Sequence, residues 1–474
     1  MTRHVADVAV IGAGTAGLAA ERHARRQGAT TRLIDPEFAG TTCATVGCMP
    51  SKLLIAAADA AHGASDAERF GIHARVEVRG AEVLGRVRRM RDDFARGVRR
   101  SIADLPDGTC LRARARFDAP GVLALDTGDT VEARAIVIAT GAAPDLPGPY
   151  RAVADRVLTN RTIFELDDLP ASMAVIGAGP LGLELAQAMH RLGVQVELFD
   201  SGDTLAGLPP ETSRALYAIL SDSFPIHLDC KPHPAPHPDG VELTWNGHTA
   251  RFERVLVAAG RPPSLDALEL ENTDLDLDDH GTPIFDPDTL QCGDAPVFIA
   301  GDANHDRPLL HEASAEGTIA GCNAATWPDV SASPRKTPLA ISFTRPEAAT
   351  IGTIPDPDDD THVTGTVDYA DQGRAKVMGQ AHGLLRLHAR ATDGRLTGAS
   401  LCAPGGEHLA HLLAWTIQQG LTASDVLDLP FYHPTLAEGL QTALQDICRQ
   451  TERTRPWHRD DDPRPGSQSG TPTP

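Results

Sequence analysis

A short run near the N-terminus, Ala9-Val10-Ile11-Gly12-Ala13-Gly14, recurs as Ala174-Val175-Ile176-Gly177-Ala178-Gly179. Third glycines follow at Gly17 and Gly182, and the next apolar run of each copy closes on an acid: Arg32-Leu33-Ile34-Asp35 and Glu197-Leu198-Phe199-Asp200. Strand, glycine turn, helix, strand and acid, in that order, form the βαβ unit that binds a dinucleotide. Gly12 and Gly177 allow the tight turn, and Gly14 and Gly179 let backbone approach a pyrophosphate. Gly17 and Gly182 let helix close on strand, while the helix N-terminus faces the anion. Asp35 and Asp200 are placed to accept a ribose hydroxyl. A single glycine pattern is weak evidence, since glycines also punctuate loops. Two copies with their acids in register commit the chain to two nucleotide-binding domains.

Each unit has a later apolar run ending in glycine, Ile136-Val137-Ile138-Ala139-Thr140-Gly141 and Val255-Leu256-Val257-Ala258-Ala259-Gly260. A third run, Val297-Phe298-Ile299-Ala300-Gly301-Asp302, delivers an acid at its carboxyl end, where parallel sheets place ligands. Residues 82–102 read as a basic amphipathic helix. From about Lys336 the pattern changes to short alternating runs such as Leu384-Leu385-Arg386-Leu387-His388, then to helical periods over 408–419 and 436–448. That change marks a separate α+β domain. Proline-rich stretches at 144–149 and 355–360 read as linkers or surface loops. The last segment, 454–474, has almost no apolar content and is expected to be disordered.

Charge and hydropathy exclude several partners. The formal net charge is -21, which argues against nucleic acid and anionic membranes, because phosphate binding needs a basic surface. No run reaches the roughly 20 apolar residues needed to span a bilayer. The first residues carry no basic and apolar leader pattern, so a cytoplasmic protein is expected. Six of the eight cysteines, Cys110, Cys230, Cys292, Cys322, Cys402 and Cys448, are scattered singly, which suits reduced thiols.

The other two cysteines sit together in Thr42-Cys43-Ala44-Thr45-Val46-Gly47-Cys48-Met49-Pro50-Ser51-Lys52, just past the first nucleotide unit. Five residues of ideal helix rise about 7.5 Å, beyond the usual disulfide Cα separation. Pro50 also disfavours helical geometry at Met49. The pair is therefore expected to bridge only across an irregular turn, with a helix starting near Pro50, as a labile and reducible disulfide. Two small buried hydrophobes is the plainer alternative. A zinc site would need two more ligands at metal-type spacing, and no metal is expected. Two nucleotides and one dithiol in one molecule imply electron transfer. Nicotinamide delivers hydride, a disulfide accepts two electrons, and an isoalloxazine between them is the natural relay. The first unit is then the FAD site and the second the NAD site.

With these motifs, and with Ala300-Gly301-Asp302 and Tyr432-His433-Pro434-Thr435-Leu436-Ala437-Glu438, the chain resembles the class I flavin-dependent pyridine nucleotide-disulfide oxidoreductases, most of all their dihydrolipoamide dehydrogenase branch. The likeness spans about residues 5 to 450. It implies an α/β fold of two Rossmann-like dinucleotide-binding domains, for FAD and NAD, plus a C-terminal α+β dimerisation domain. The corresponding segments are 1–148 (FAD, with the dithiol), 149–264 (NAD), 265–335 (completing the FAD site) and 336–453 (dimerisation).

The resemblance also implies roles. Cys43 would be the thiol that meets substrate and Cys48 the thiol beside the flavin. Lys52 would lie near the flavin and pair with Glu184. Asp302 would bind the ribityl chain, and Ala115, Thr140, Gly141 and Leu310 would contact FAD. Gly260, ahead of Arg261-Pro262, would close the nicotinamide site. His433 would act as base on the dithiol substrate, with Glu438 orienting its ring. In the family this histidine enters from the partner subunit, which implies a homodimer. The substrate would be dihydrolipoamide or the lipoyl domain of an acyltransferase complex. Rival readings are a sister reductase acting on another disulfide or a metal ion, and a flavin-bound subunit without catalysis. Acids at Asp200-Ser201-Gly202-Asp203 stand where NADPH users of the family carry arginines. Cys448 has no cysteine neighbour of the kind that mercuric reductases carry near the C-terminus.

Overall fold

The structure is a computed structural model that describes residues 2–451. The expected tail at 454–474 lies outside the described residues. The first glycine unit forms as read: strand Arg3–Ile11, helix Thr15–Arg26 and strand Thr31–Ile34. The first strand lies parallel to Thr31–Ile34 on one side and to Thr130–Ile138 on the other. The strand Val297–Ile299 returns from far along the chain to pair parallel with Ile136–Ile138. A meander of Ala115–Ala119 and Val122–Leu125 continues the sheet antiparallel. Ala9, Val10 and Ile136 are buried, as the near-continuous apolar runs of a parallel sheet require.

The second unit repeats the plan with strand Ser172–Ile176, helix Pro180–Arg191 and strand Gln195–Phe199 in a five-stranded parallel sheet. The two passages between the domains pair with each other: Ala143 N–H donates to Pro262 O at 3.2 Å and Ser264 N–H to Gly141 O at 2.8 Å. The sequence reading did not anticipate the three-stranded antiparallel sheet His233–His237, Gly240–Trp245 and His248–Phe252. It covers one face of the second parallel sheet, where Val241, Leu243 and Phe252 join Phe199 and Val255 in a core. Proline and histidine in its first strand hid the period-2 signal.

The C-terminal domain is a five-stranded antiparallel sheet, Leu339–Ser342 through Leu396–Ala403, with helices Gly406–Gln418 and Gly439–Gln450. The expected basic helix runs Gly80–Ala103. Among the described residues no helix is long and apolar enough to cross a membrane.

The helix Leu310–Thr326 packs on Thr15–Arg26 through small residues. A Cβ at Gly317 would overlap the carbonyl of Ala16, and one at Gly321 that of Ala20. Backbone meets backbone here, so neither side can yield. Gly317→Ala is expected to cost about 1–3 kcal/mol, as overpacking does. Gly63→Ala, at an open helical position, should be neutral or stabilise by up to about 1 kcal/mol. Thermal unfolding followed by circular dichroism separates the two, and equal melting temperatures would refute the packing account.

Candidate functional site

Both glycine turns are built alike. Gly12 (φ +102°) and Gly177 (φ +112°) lie where a side chain is strained, and a Cβ there would run into the carbonyls of Ala139 and Ala258. Around Gly14 and Gly179 a Cβ would meet nothing within 4 Å, leaving the backbone open to a ligand. Gly17 and Gly182 lie against the carbonyls of Gly12 and Gly177. The acids grip the turns: Asp35 Oδ2 accepts Ala13 N–H at 3.0 Å, and Asp200 Oδ2 accepts Ala178 N–H. Their second oxygens accept Glu37 and Phe38 N–H at 2.9 and 2.7 Å, and Gly202 N–H at 2.6 Å. The sequence placed these acids; their hold on the turns is a structural finding.

Around the first turn, the buried Thr140 hydroxyl has no protein hydrogen-bond partner, and Gly141 follows it at φ +69°. Ala115 is buried at the start of its strand, and Leu310 opens its helix, whose first amides lack intrahelical acceptors. An orphaned hydroxyl, an open glycine turn, an acid and free helix amides fit the donors and acceptors of FAD. Gly260 (φ +135°) follows the strand Arg254–Val257 at the second unit.

Cys43 lies in a single helical turn, Thr42–Thr45, capped by the Thr41 hydroxyl, which accepts Ala44 N–H at 3.3 Å. The long helix begins at Cys48, two residues earlier than expected, so Met49 is helical. Pro50 is tolerated because the first-turn amides have no partner in any case. Asn160 donates to Val46 O at 3.1 Å and pins the link between the cysteines from the second domain. Both cysteines are free thiols, Cys43 half-buried and Cys48 exposed.

A hydrogen bond between the thiols divides their roles. It pulls Cys48 down to about 6 against the partial desolvation of its sulfur, which the exposed residue as a whole does not escape, aided by the Lys52 cation and opposed by Glu184. The same bond, together with burial, pushes Cys43 well above the usual thiol range. Cys48 also stands at a helix N-terminus, where the dipole favours an anion.

Lys52, one turn on, meets Glu184 of the second glycine-turn helix at 2.7 Å. Glu184 is only 4% exposed, and its other oxygen accepts Phe343 N–H from the C-terminal domain at 2.9 Å. The Phe343 ring lies 4.4 Å from Lys52 Nζ. Gln187, one turn beyond Glu184, donates to Arg345 O at 2.9 Å and accepts Arg345 N–H at 2.8 Å. The sequence reading found Lys52 and Glu184 and missed Phe343 and Gln187. Only the 184/187 helical spacing hinted at the latter.

Asp302 carries a partner the sequence reading did not name: Arg261, directly after Gly260, meets its carboxylate at 2.8 Å. Its turn is anchored by the buried Glu316, which accepts Gly301 N–H at 2.6 Å and the Asn304 amide at 2.8 Å, and pairs with Arg335 at 2.6 Å. His433 Nδ1 lies 2.8 Å from Glu438 Oε1, and Glu438 Oε2 accepts Thr435 N–H at 2.7 Å. The histidine side chain is 75% exposed and its carboxylate partner 11%. With Nδ1–H donated to that carboxylate, Nε2 presents its lone pair outward. Among the described residues no hydrogen bond joins His433 to either cysteine.

A family model described as pyridine nucleotide-disulphide oxidoreductase matches residues 6–317, and the dimerisation domain of the same family matches 339–444. A dihydrolipoyl dehydrogenase of Haloferax volcanii is 31% identical over 471 residues, spanning 94% of this chain and 97% of that protein. A mercuric reductase of Streptomyces lividans is 29% identical, spanning 93% and 95% of the two chains. The crystal structure of LpdA from Mycobacterium tuberculosis superposes with a TM-score of 0.81 at 24% identity, covering 95% of this chain and 99% of that one.

The thiol electrostatics can be measured. In Cys43→Ser the remaining site thiol should titrate near its low value, because serine still donates; in Cys48→Ser it should stay protonated at neutral pH. Lys52→Met removes a cation that favours the thiolate, so the Cys48 midpoint should rise. Ultraviolet thiolate absorbance, taken as a difference from the variant lacking both thiols, reports each midpoint. A lower midpoint for Cys43 than for Cys48 would reverse the assignment.

Proposed function

This chain belongs to the pyridine nucleotide-disulphide oxidoreductases, which depend on FAD and a pyridine nucleotide, and on that premise we propose that it moves electron pairs between NAD(H) and a dithiol or disulfide through Cys43 and Cys48. The observation that carries this reading is the cysteine pair at the start of the helix Cys48–Ser65, one turn from a lysine paired with a buried acid. The preferred reaction is dihydrolipoamide plus NAD+ giving lipoamide and NADH, which the relatives named dihydrolipoyl dehydrogenase support. Gly12, Gly14, Gly17, Asp35, Ala115, Thr140, Gly141, Asp302 and Leu310 would hold FAD, and Gly177, Gly179, Gly182, Asp200 and Gly260 would hold NAD. Once bound, the two cofactors supply the hydride chemistry that links the dithiol to nicotinamide.

The protein's own part is thiol exchange and proton handling. A substrate thiolate attacks Cys43 Sγ of the oxidised pair, the Cys43–Cys48 bond breaks, and Cys48 leaves with the electron pair. A low thiol pKa suits a leaving group. The second substrate thiol loses its proton to Nε2 of His433 and attacks the substrate sulfur bound to Cys43, releasing cyclic disulfide and the Cys43 thiolate. The exposed ring in the dimerisation domain suits supply from the partner subunit of a homodimer.

Steady-state assays of dihydrolipoamide with NAD+, set against other disulfides, Hg(II) and Cu(II) with NADH, test the substrate. Dihydrolipoamide should have the highest kcat/KM, and a metal ion outranking it would favour the reading suggested by the mercuric reductase relative. Asp200 opposes a 2′-phosphate charge against charge, so NADH should be clearly preferred over NADPH. His433→Ala should slow the dithiol half-reaction roughly 10²–10⁴-fold while NADH still reduces the flavin. Glu438→Gln should give a milder form of the same defect. Equal loss in both half-reactions would remove His433 from the role of base.

A further inference from the structure

The acid–lysine pair at the dithiol has a third wall, contributed by the C-terminal domain. Lys52 Nζ lies between Glu184 Oε2 at 2.7 Å and the Phe343 ring at 4.4 Å, so its ammonium is caged by a carboxylate on one side and an aromatic π system on the other. Phe343 is half-buried and packs against the core that contains Leu53 and Leu54 of the cysteine helix and Leu183 and Leu185 of the second glycine-turn helix. Its backbone is fixed independently of its ring. Phe343 N–H donates to Glu184 Oε1, while Gln187 grips both polar backbone groups of Arg345 two residues on. Three hydrogen bonds to one helix therefore fix the point from which the ring is presented to Lys52. Lys52 itself is one-third exposed. Without the ring, its four-carbon stem has solvent-facing rotamers that carry the charge away from Cys48.

We infer that Phe343 is a positioning residue for the redox pair: its ring confines the Lys52 ammonium beside Cys48, so that the dimerisation domain governs the electrostatics of a thiol in the FAD domain. The inference rests on the proposed relay through Cys43 and Cys48. The charged and titratable groups that act on Cys48 are Cys43 and Lys52 from its own segment and Glu184 from the second unit. From the C-terminal segment, Arg345 is turned to Asp59 and Glu347, at 2.8 Å each, so Phe343 acts there by its ring rather than by charge.

Phe343→Met keeps most of the volume and removes the π face, Phe343→Tyr keeps the face, and a fluorinated phenylalanine keeps the shape while draining the ring of electron density. Holoprotein of each variant, with FAD content and circular dichroism matched to the parent, is titrated for the Cys48 thiolate in the Cys43→Ser background. A cation–π contact near the surface corresponds to about a two- to five-fold change in equilibrium. Phe343→Met and the fluorinated ring should raise the proton affinity of Cys48 by that factor, and Phe343→Tyr should restore it. In a Lys52→Met background all three substitutions should be silent, because the mediator is gone. An unmoved Cys48 midpoint in the Met and fluorinated variants, alongside a shift in Lys52→Met, overturns the role of Phe343 and leaves the dithiol relay standing. Parent protein that reduces no disulfide with NADH refutes the relay itself, whatever the titrations give.

Discussion

Glu184 is a carboxylate with almost no water around it, and a charge so placed must find its compensation within the protein. It does so by reaching two other domains at once, with the Lys52 ammonium on one oxygen and the Phe343 amide on the other. Removing Lys52 would strand a carboxylate that is almost fully buried, which costs more than breaking an exposed ion pair. The geometry of the site follows from that constraint. Once Glu184 is satisfied, the cysteine helix, the second glycine-turn helix and the first strand of the C-terminal sheet are held at one junction. Further down the same seam Asp59 takes Arg191 at 2.6 Å and Arg345 at 2.8 Å, and Glu347 takes Arg345 and the Gly406 amide.

A second fixed point lies behind the first sheet. Two glycines on the helix Leu310–Thr326 let its backbone touch that of Thr15–Arg26, which leaves one position for the returning strand Val297–Ile299. Glu316 on that helix then clasps the turn bearing Asp302 from below while Arg261 meets Asp302 from the second domain. The Asp302 turn is thus held by Glu316 through the neighbouring Gly301 and Asn304, and its carboxylate by Arg261 from earlier in the chain. Arg261 stands directly before Pro262, whose carbonyl accepts Ala143 N–H, so the hold on Asp302 is continuous with the passage between the two nucleotide units.

Between these fixed points the thiols behave as one unit. A shared hydrogen bond makes one a better anion only by making the other a worse one, so they titrate as a pair. Lys52 and the helix N-terminus decide which is which by lying nearer Cys48. A dithiol in a symmetric environment would have no preferred leaving group.

How much of this was legible follows from the range of the forces involved. The glycine turns, their acids, the cysteine pair and the His433–Glu438 spacing answer needs within a few residues of backbone or within one βαβ unit, and the sequence determined them. The identity of the C-terminal domain as α+β followed from the change in hydrophobic period after Lys336. What the sequence left open were meetings between remote surfaces. Phe343 lies 159 residues from the acid its amide satisfies, and Arg261 precedes the acid it pairs with by a whole connecting segment. Met49 is helical although proline follows it, because at a helix start the first-turn amides need no partner and the usual penalty before proline is relieved. The sheet 233–252 was missed because its first strand is an edge, where proline and histidine are tolerated and alternation is weak. Local geometry is written in spacing. Which buried charge meets which amide is decided only when the domains close and desolvation leaves each group a single partner within reach.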